Sequence, residues 1–219
     1  MKKDLSKFES IPFQSDIWSA QKGNLRCTAL RLRDGSLCLY SPVLGLGGVA
    51  KDSLADLGKV SHLLAPNHYH HKGLKEYSEA FPKAKLVCSD RAHPRLAQQT
   101  GLPFANLQTV APLLPDDCNF AEPDGLKTGE VWLTLETPSG SIWIVCDSFK
   151  GPNGKVGNVG TNIGLLGTFP TYGIRDADAY SKWIKAGIQT QAPSMIVPCH
   201  GSIVQSDTLA ADILALQYA

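Results

Sequence analysis

Three of the chain's six histidines fall within four residues, at 68, 70 and 71 in the run Asn67-His68-Tyr69-His70-His71. Imidazole is the commonest protein ligand for divalent transition metals, and it moves protons near neutral pH. The cluster follows an apolar, strand-like run at 60–65 and precedes a helical pattern, so a turn there can aim side chains at one point. Two more residues of suitable type stand at similar places: Asp147 closes the run 141–146, and His200 follows 195–197. Three or four protein ligands would leave an open metal position for water, whose pKa a divalent ion lowers towards neutrality, so hydrolysis is the natural chemistry. His70 is then a ligand or the general base. The Tyr69 hydroxyl either donates to a developing oxyanion or simply packs.

The elements that must position these residues are legible in outline. Asp34-Gly35 suits a two-residue hairpin turn, with Leu32 expected opposite Leu37, Leu30 opposite Leu39, and one buried face. A short helix is expected at 52–57, a strand at 60–65, a helix from His71 carrying Leu74, Tyr77 and Phe81 and closed by Pro82, and a strand at 85–88. Ser89 or Asp90 can cap a helix running to Gln99, and a short strand is expected at 107–110. Runs 131–136 and 141–146 read as antiparallel strands joined through Thr137-Pro138-Ser139-Gly140, and 150–167 as a long glycine-broken loop that could flap over the metal edge. A capped helix from Asp176 to about Gln189, a strand at 195–197 and a last helix at 207–217 complete the order. Strands and hairpins followed by helices point to sheets with helices outside, in one domain spanning 1–219.

Composition narrows the partners. Lys and Arg number 21 against 20 Asp and Glu, which gives no electrostatic reason to expect nucleic acid or an anionic membrane. A small-molecule substrate is expected, and a second copy of the chain is an allowed partner. Met1-Lys2-Lys3-Asp4-Leu5-Ser6-Lys7 is not followed by an apolar run and no window resembles a membrane span, so a cytoplasmic location is expected. The six cysteines are scattered with no CxxC pair, which fits reduced, buried thiols. Cys146 and Cys199 each precede a proposed ligand at a strand end, which places them close together under the site, where a redox role is also open.

The order of the pieces resembles the metallo-β-lactamase superfamily: a His-x-His-x-Asp-His motif after a strand, a later strand-end Asp, and a final His-Gly. Here Pro66-Asn67-His68-Tyr69-His70-His71 takes the first place, Asp147 in Val145-Cys146-Asp147-Ser148 the second, and His200 in Pro198-Cys199-His200-Gly201 the last. Pro66 stands where the first histidine would be, His70 replaces the aspartate, and the region matched to the middle histidine reads Leu135-Glu136-Thr137-Pro138, with Glu136 the nearest substitute. Ala65-Pro66-Asn67 and Phe81-Pro82-Lys83-Ala84-Lys85 are also similar to a branch of this superfamily, of unknown function, that lacks the first histidine.

The resemblance implies a four-layer αββα sandwich, an α/β fold. It implies one metal held by His71, Asp147 and His200, with His68 and His70 beside them and a second metal only if Glu136 reaches. Zinc is the first expectation, with iron or manganese compatible. The expected activity is hydrolysis of an ester, thioester, lactone or phosphoester-type bond. The alternatives are a catalytically silent metal-binding or regulatory protein that keeps the fold, and a non-haem iron redox enzyme.

Overall fold

The computed structural model describes residues 4–154 and 157–218. The first three residues of the amino-terminal reading, the centre of the glycine-rich loop and residue 219 lie outside the described residues. The chain divides into two units, Met1–Pro115 and Asp116–Ala219.

The first unit carries a seven-stranded sheet in sequence order: β1 (Glu9–Ser10), β2 (Ile17–Lys22), β3 (Leu25–Arg31), β4 (Leu37–Tyr40), β5 (Val60–Leu64), β6 (Lys85–Cys88) and β7 (Phe104–Asn106). Pairing is antiparallel up to β4 and parallel from β4 to β7. Parallel neighbours need a crossover, and α1 (Gly48–Leu57), α2 (Leu74–Ala80) and α3 (His93–Thr100) supply the three. Leu39, Leu63, Leu54, Leu74, Tyr77 and Leu96 bind strands and helices into one apolar core. Pro82 ends α2 by withholding an N–H, and Ser89 receives the Ala92 N–H at 3.2 Å ahead of α3.

The hairpin differs from the expectation by one residue. Leu30 faces Cys38 and Ala29 faces Leu39. The Gly35 N–H bonds the Leu32 carbonyl at 2.9 Å and the Leu32 N–H bonds the Ser36 carbonyl at 2.7 Å, so the loop holds three residues. Gly35 takes the left-handed position at φ 80°, and Asp34 braces the loop by accepting from the Ser36 N–H and hydroxyl. One extra residue moves every side chain to the other face. The expected single buried face is also corrected, since all of β4 and most of β3 are buried on both faces. The strand expected at 107–110 is a 3₁₀ turn at Leu107–Thr109, because the Val110 N–H closes back on the Leu107 carbonyl instead of joining a ladder.

The second unit carries a six-stranded mixed sheet in the order β11-β13-β12-β10-β9-β8, from β8 (Cys118–Ala121), β9 (Trp132–Thr137), β10 (Gly140–Val145), β11 (Val159–Gly160), β12 (Pro193–Pro198) and β13 (Ile203–Gln205). Its helices are α4 (Phe169–Gly173), α5 (Ala177–Thr190) and α6 (Leu209–Leu214). The Asp176 side chain caps α5 by accepting the Ala179 N–H at 2.9 Å, and Tyr180 and Ile184 are its fully buried positions. Within the core, Trp132 lies 5.1–5.7 Å, ring centre to ring centre, from Trp143, Phe149 and Trp183. The glycine-rich stretch was expected to hold no strand, but Val159–Gly160 pairs with Ile203–Val204 at the sheet edge, where a short strand tolerates glycine. Among the described residues no helix is long and apolar enough to cross a membrane.

Candidate functional site

The histidine cluster sits in the turn between β5 and α2, and a buried asparagine curls it. Asn67 Oδ1 accepts from the N–H groups of Tyr69 at 2.8 Å and His70 at 3.2 Å, a side-chain mimic of a backbone turn. The neighbouring rings are each held differently. His71 Nδ1 lies 3.2 Å from the His68 carbonyl, which only accepts, so that nitrogen carries the proton and the Nε2 lone pair is left for a metal. His70 Nδ1 lies 2.8 Å from the hydroxyl of Ser41, a buried residue at φ 57° just beyond β4. That bond fixes the ring and leaves Nε2 on its far side.

His68 is held by a partner from α3. Its Nε2 lies 3.1 Å from Arg95 Nη1, and since a guanidinium only donates, the imidazole lone pair is already engaged. The same guanidinium stands 4.8 Å above the Tyr69 ring, and the Tyr69 and His68 rings meet in a T-shaped arrangement with centres 4.4 Å apart. Arg95 therefore locks His68 and Tyr69 together from α3.

In the second unit the site follows from the parallel register of β10 and β12. Val145 faces Pro198, and the Cys199 N–H bonds the Val145 carbonyl at 2.9 Å. Carried on, that register sets Cys146 beside Cys199 and Asp147 beside His200. His200 Nε2 and Asp147 Oδ1 are 2.9 Å apart, and the side chains are mostly buried. Two ligands on one tetrahedral zinc lie roughly 3.4 Å apart, so a cation could replace the shared hydrogen with little movement.

Beneath this pair lies Glu130, a buried carboxylate that no sequence motif singles out. Its Oε1 accepts from Trp132 Nε1 at 2.8 Å, the Cys146 N–H at 3.1 Å and the Ser148 N–H at 3.2 Å, and its Oε2 from the Asp147 N–H at 3.1 Å. One carboxylate thus pins the turn that presents Asp147. Burial first, then the neighbouring Asp147 charge, push the Glu130 pKa up to about 7 against the pull of its donors. Glu136, expected in this neighbourhood, is corrected. It is exposed and faces Ser141 at the hairpin end of β9, while Asp147 lies beyond the other end of β10. At a strand rise of about 3.3 Å that is roughly 20 Å away, too far to share a metal with Asp147. No local motif marks Glu130, Arg95 or Ser41, because the contacts that tie each to the site are with residues distant in sequence. Asn67, directly after Pro66, had a legible turn signal.

His200 is followed by two interlocked backbones. Gly201 adopts φ 83°, and a Cβ there would stand 2.3 Å from the Gly151 carbonyl oxygen. Gly201→Ala is expected to lower stability by at least ~2 kcal/mol in urea unfolding, from strain plus backbone clash. Gly35→Ala, at φ 80° with nothing within 4 Å of the added carbon, isolates the conformational cost at about 1 kcal/mol. Equal losses at the two positions would remove the clash from the account.

No protein-family model matches the sequence, and no curated protein matches it. Solved structures do. A metallo-β-lactamase from Erythrobacter litoralis superposes with a TM-score of 0.63 at 14% identity, covering 96% of this chain and 97% of that one. One from Pontibacter korlensis gives 0.58 at 14%, covering 95% and 98%. The fold is that of the metallo-β-lactamases. The expected α/β sandwich, two mixed sheets with flanking helices, is therefore the fold class of this chain. This chain also superposes on a flavodiiron core from Synechocystis, at a TM-score of 0.62 and 10% identity over 96% of its length. This chain spans about 60% of that flavodiiron chain.

Proposed function

We propose that the chain is a metal-dependent hydrolase of a small molecule with an ester, thioester, lactone or phosphoester-type bond. The observation that carries the reading is the Asp147–His200 pair, 2.9 Å apart at adjacent strand ends and backed by the buried Glu130 carboxylate. The ligand set is the one the sequence resemblance implies, reduced by two residues: His71, Asp147 and His200, with His70 beside them as ligand or base, and without His68 and Glu136. Its imidazole and carboxylate donors suit zinc, the metal proposed.

A bound divalent ion supplies a water acidified towards neutral pH. The protein's own contribution is positional. The His68 carbonyl holds the His71 tautomer, Ser41 orients the His70 ring for proton transfer, and Glu130 fixes the Asp147 backbone. Tyr69, its ring steadied by Arg95, is assigned the hydroxyl that meets the developing oxyanion. An iron-based redox reading is favoured only by the likeness to the flavodiiron core.

The test is elemental analysis of protein purified without added metal and again after zinc supplementation, followed by a panel of esters, thioesters, lactones and phosphodiesters. Stoichiometric metal and a turnover that a chelator abolishes and zinc restores are expected. Negligible metal after supplementation overturns the proposal, and bound metal without turnover replaces it with a silent binding protein.

A further inference from the structure

The side chains directly before Asp147 and His200 form a second cluster that the hydrolase reading does not use. Cys146 and Cys199 are both buried and neither is in a disulfide. Their sulfurs lie within 4.8 Å of each other, and the two thiols share a hydrogen bond. The cause is the register already described: β10 and β12 run parallel, and the first position beyond the ladder is cysteine on both. Two sulfurs bound to one tetrahedral ion at about 2.3 Å each stand roughly 3.8 Å apart, a separation inside the 4.8 Å bound on this pair, so side-chain adjustment on the existing register can bring both to one ion.

We propose that Cys146 and Cys199 form a dithiolate subsite for a soft divalent cation of the zinc or cadmium type, separate from the Asp147–His200 pair. Soft thiolates select such ions, whereas the carboxylate and imidazole next door accept harder ones. As the cation enters, each thiol gives its proton to solvent and each sulfur forms one bond to the metal. Two positive charges enter and two protons leave, so the net charge of a buried region already holding Asp147 and Glu130 does not change. The subsite does not depend on Asp147 and His200 holding a metal.

Cadmium is the probe, added to the full, reduced, metal-free chain while thiolate-to-cadmium absorption is followed in the ultraviolet. One equivalent is expected to generate the band. Cys146→Ser and Cys199→Ser should each abolish it, while Cys118→Ser, on β8, and Asp147→Asn should retain it. X-ray absorption on the wild-type complex should show two sulfur neighbours, a measurement that needs no variant to fold. Cadmium bound without the band or without sulfur neighbours overturns the dithiolate and leaves the Asp147–His200 reading standing. A band that survives both serine variants also overturns it. Failure to bind any cadmium overturns both.

Discussion

Glu130→Ala is expected to unfold at markedly lower denaturant than wild type, with a loss of about 4 kcal/mol and a fall in Tm on the order of 10 °C. The carboxylate serves four donors at once: the Trp132 indole and the N–H groups of Cys146, Asp147 and Ser148. Alanine leaves all four without an acceptor in a buried place, at ~1–3 kcal/mol for each donor that water does not reach. Glu130→Gln keeps the oxygen that serves three donors but turns an NH₂ towards the Asp147 N–H, so about half the loss is expected. A loss under ~1 kcal/mol in the alanine variant would mean that water replaces the carboxylate. The pH dependence has a definite sign in chelator-treated protein. The folded pKa, up to about 7, exceeds the ordinary 4.5, so the native state holds this proton more tightly than the unfolded chain. Glu130's titration therefore favours folding below about pH 4.5, and that gain is lost as the pH rises through 7. Glu130→Gln should flatten this slope.

The second large effect is on metal affinity. Asp147→Ala and His200→Ala are each expected to weaken zinc binding by at least ~100-fold, beyond the 10–100-fold typical of losing an outer-shell partner. Each substitution removes one member of the 2.9 Å pair and with it one donor atom from the proposed ligand set. Glu136→Ala is the matched control: it deletes a carboxylate from the same unit, at the far end of the β9–β10 hairpin, and should leave affinity unchanged. Competition with a chromophoric chelator measures all three. Equal affinity in wild type and the Asp147 and His200 variants would remove this pair from the metal site, and a loss with Glu136→Ala would overturn the placement drawn from the strand register.

Much of the fold was legible because its longer elements advertise themselves locally. The helix capped by Asp176 and the strands on either side of Pro138-Ser139 lie where periodicity and turn chemistry put them. The misses have separate physical causes. Ile17–Lys22 is a strand buried on both faces, so its residues do not alternate and the period-two signal vanishes. At Asp34-Gly35 the left-handed glycine signal is shared by two- and three-residue hairpins, and only the Leu32–Ser36 bond separates them. Residue type and position at strand ends picked out Asp147 and His200. They could not reveal that Arg95, from a different helix, occupies the His68 lone pair, nor that the useful carboxylate is Glu130 and not Glu136.

The parallel register of β10 and β12 acts as a vernier. Because the two strands stay in step past their last paired residues, donors are sorted by parity: sulfur beside sulfur at one notch, acid beside base at the next. Deleting one residue from β12 would advance that scale by a notch, bringing His200 beside Cys146 and leaving Asp147 opposite Gly201. Substitution within these strands leaves the pairing of their ends intact, whereas beyond the register shift at Ser141–Ile142 an insertion or deletion in one strand must be matched in the other.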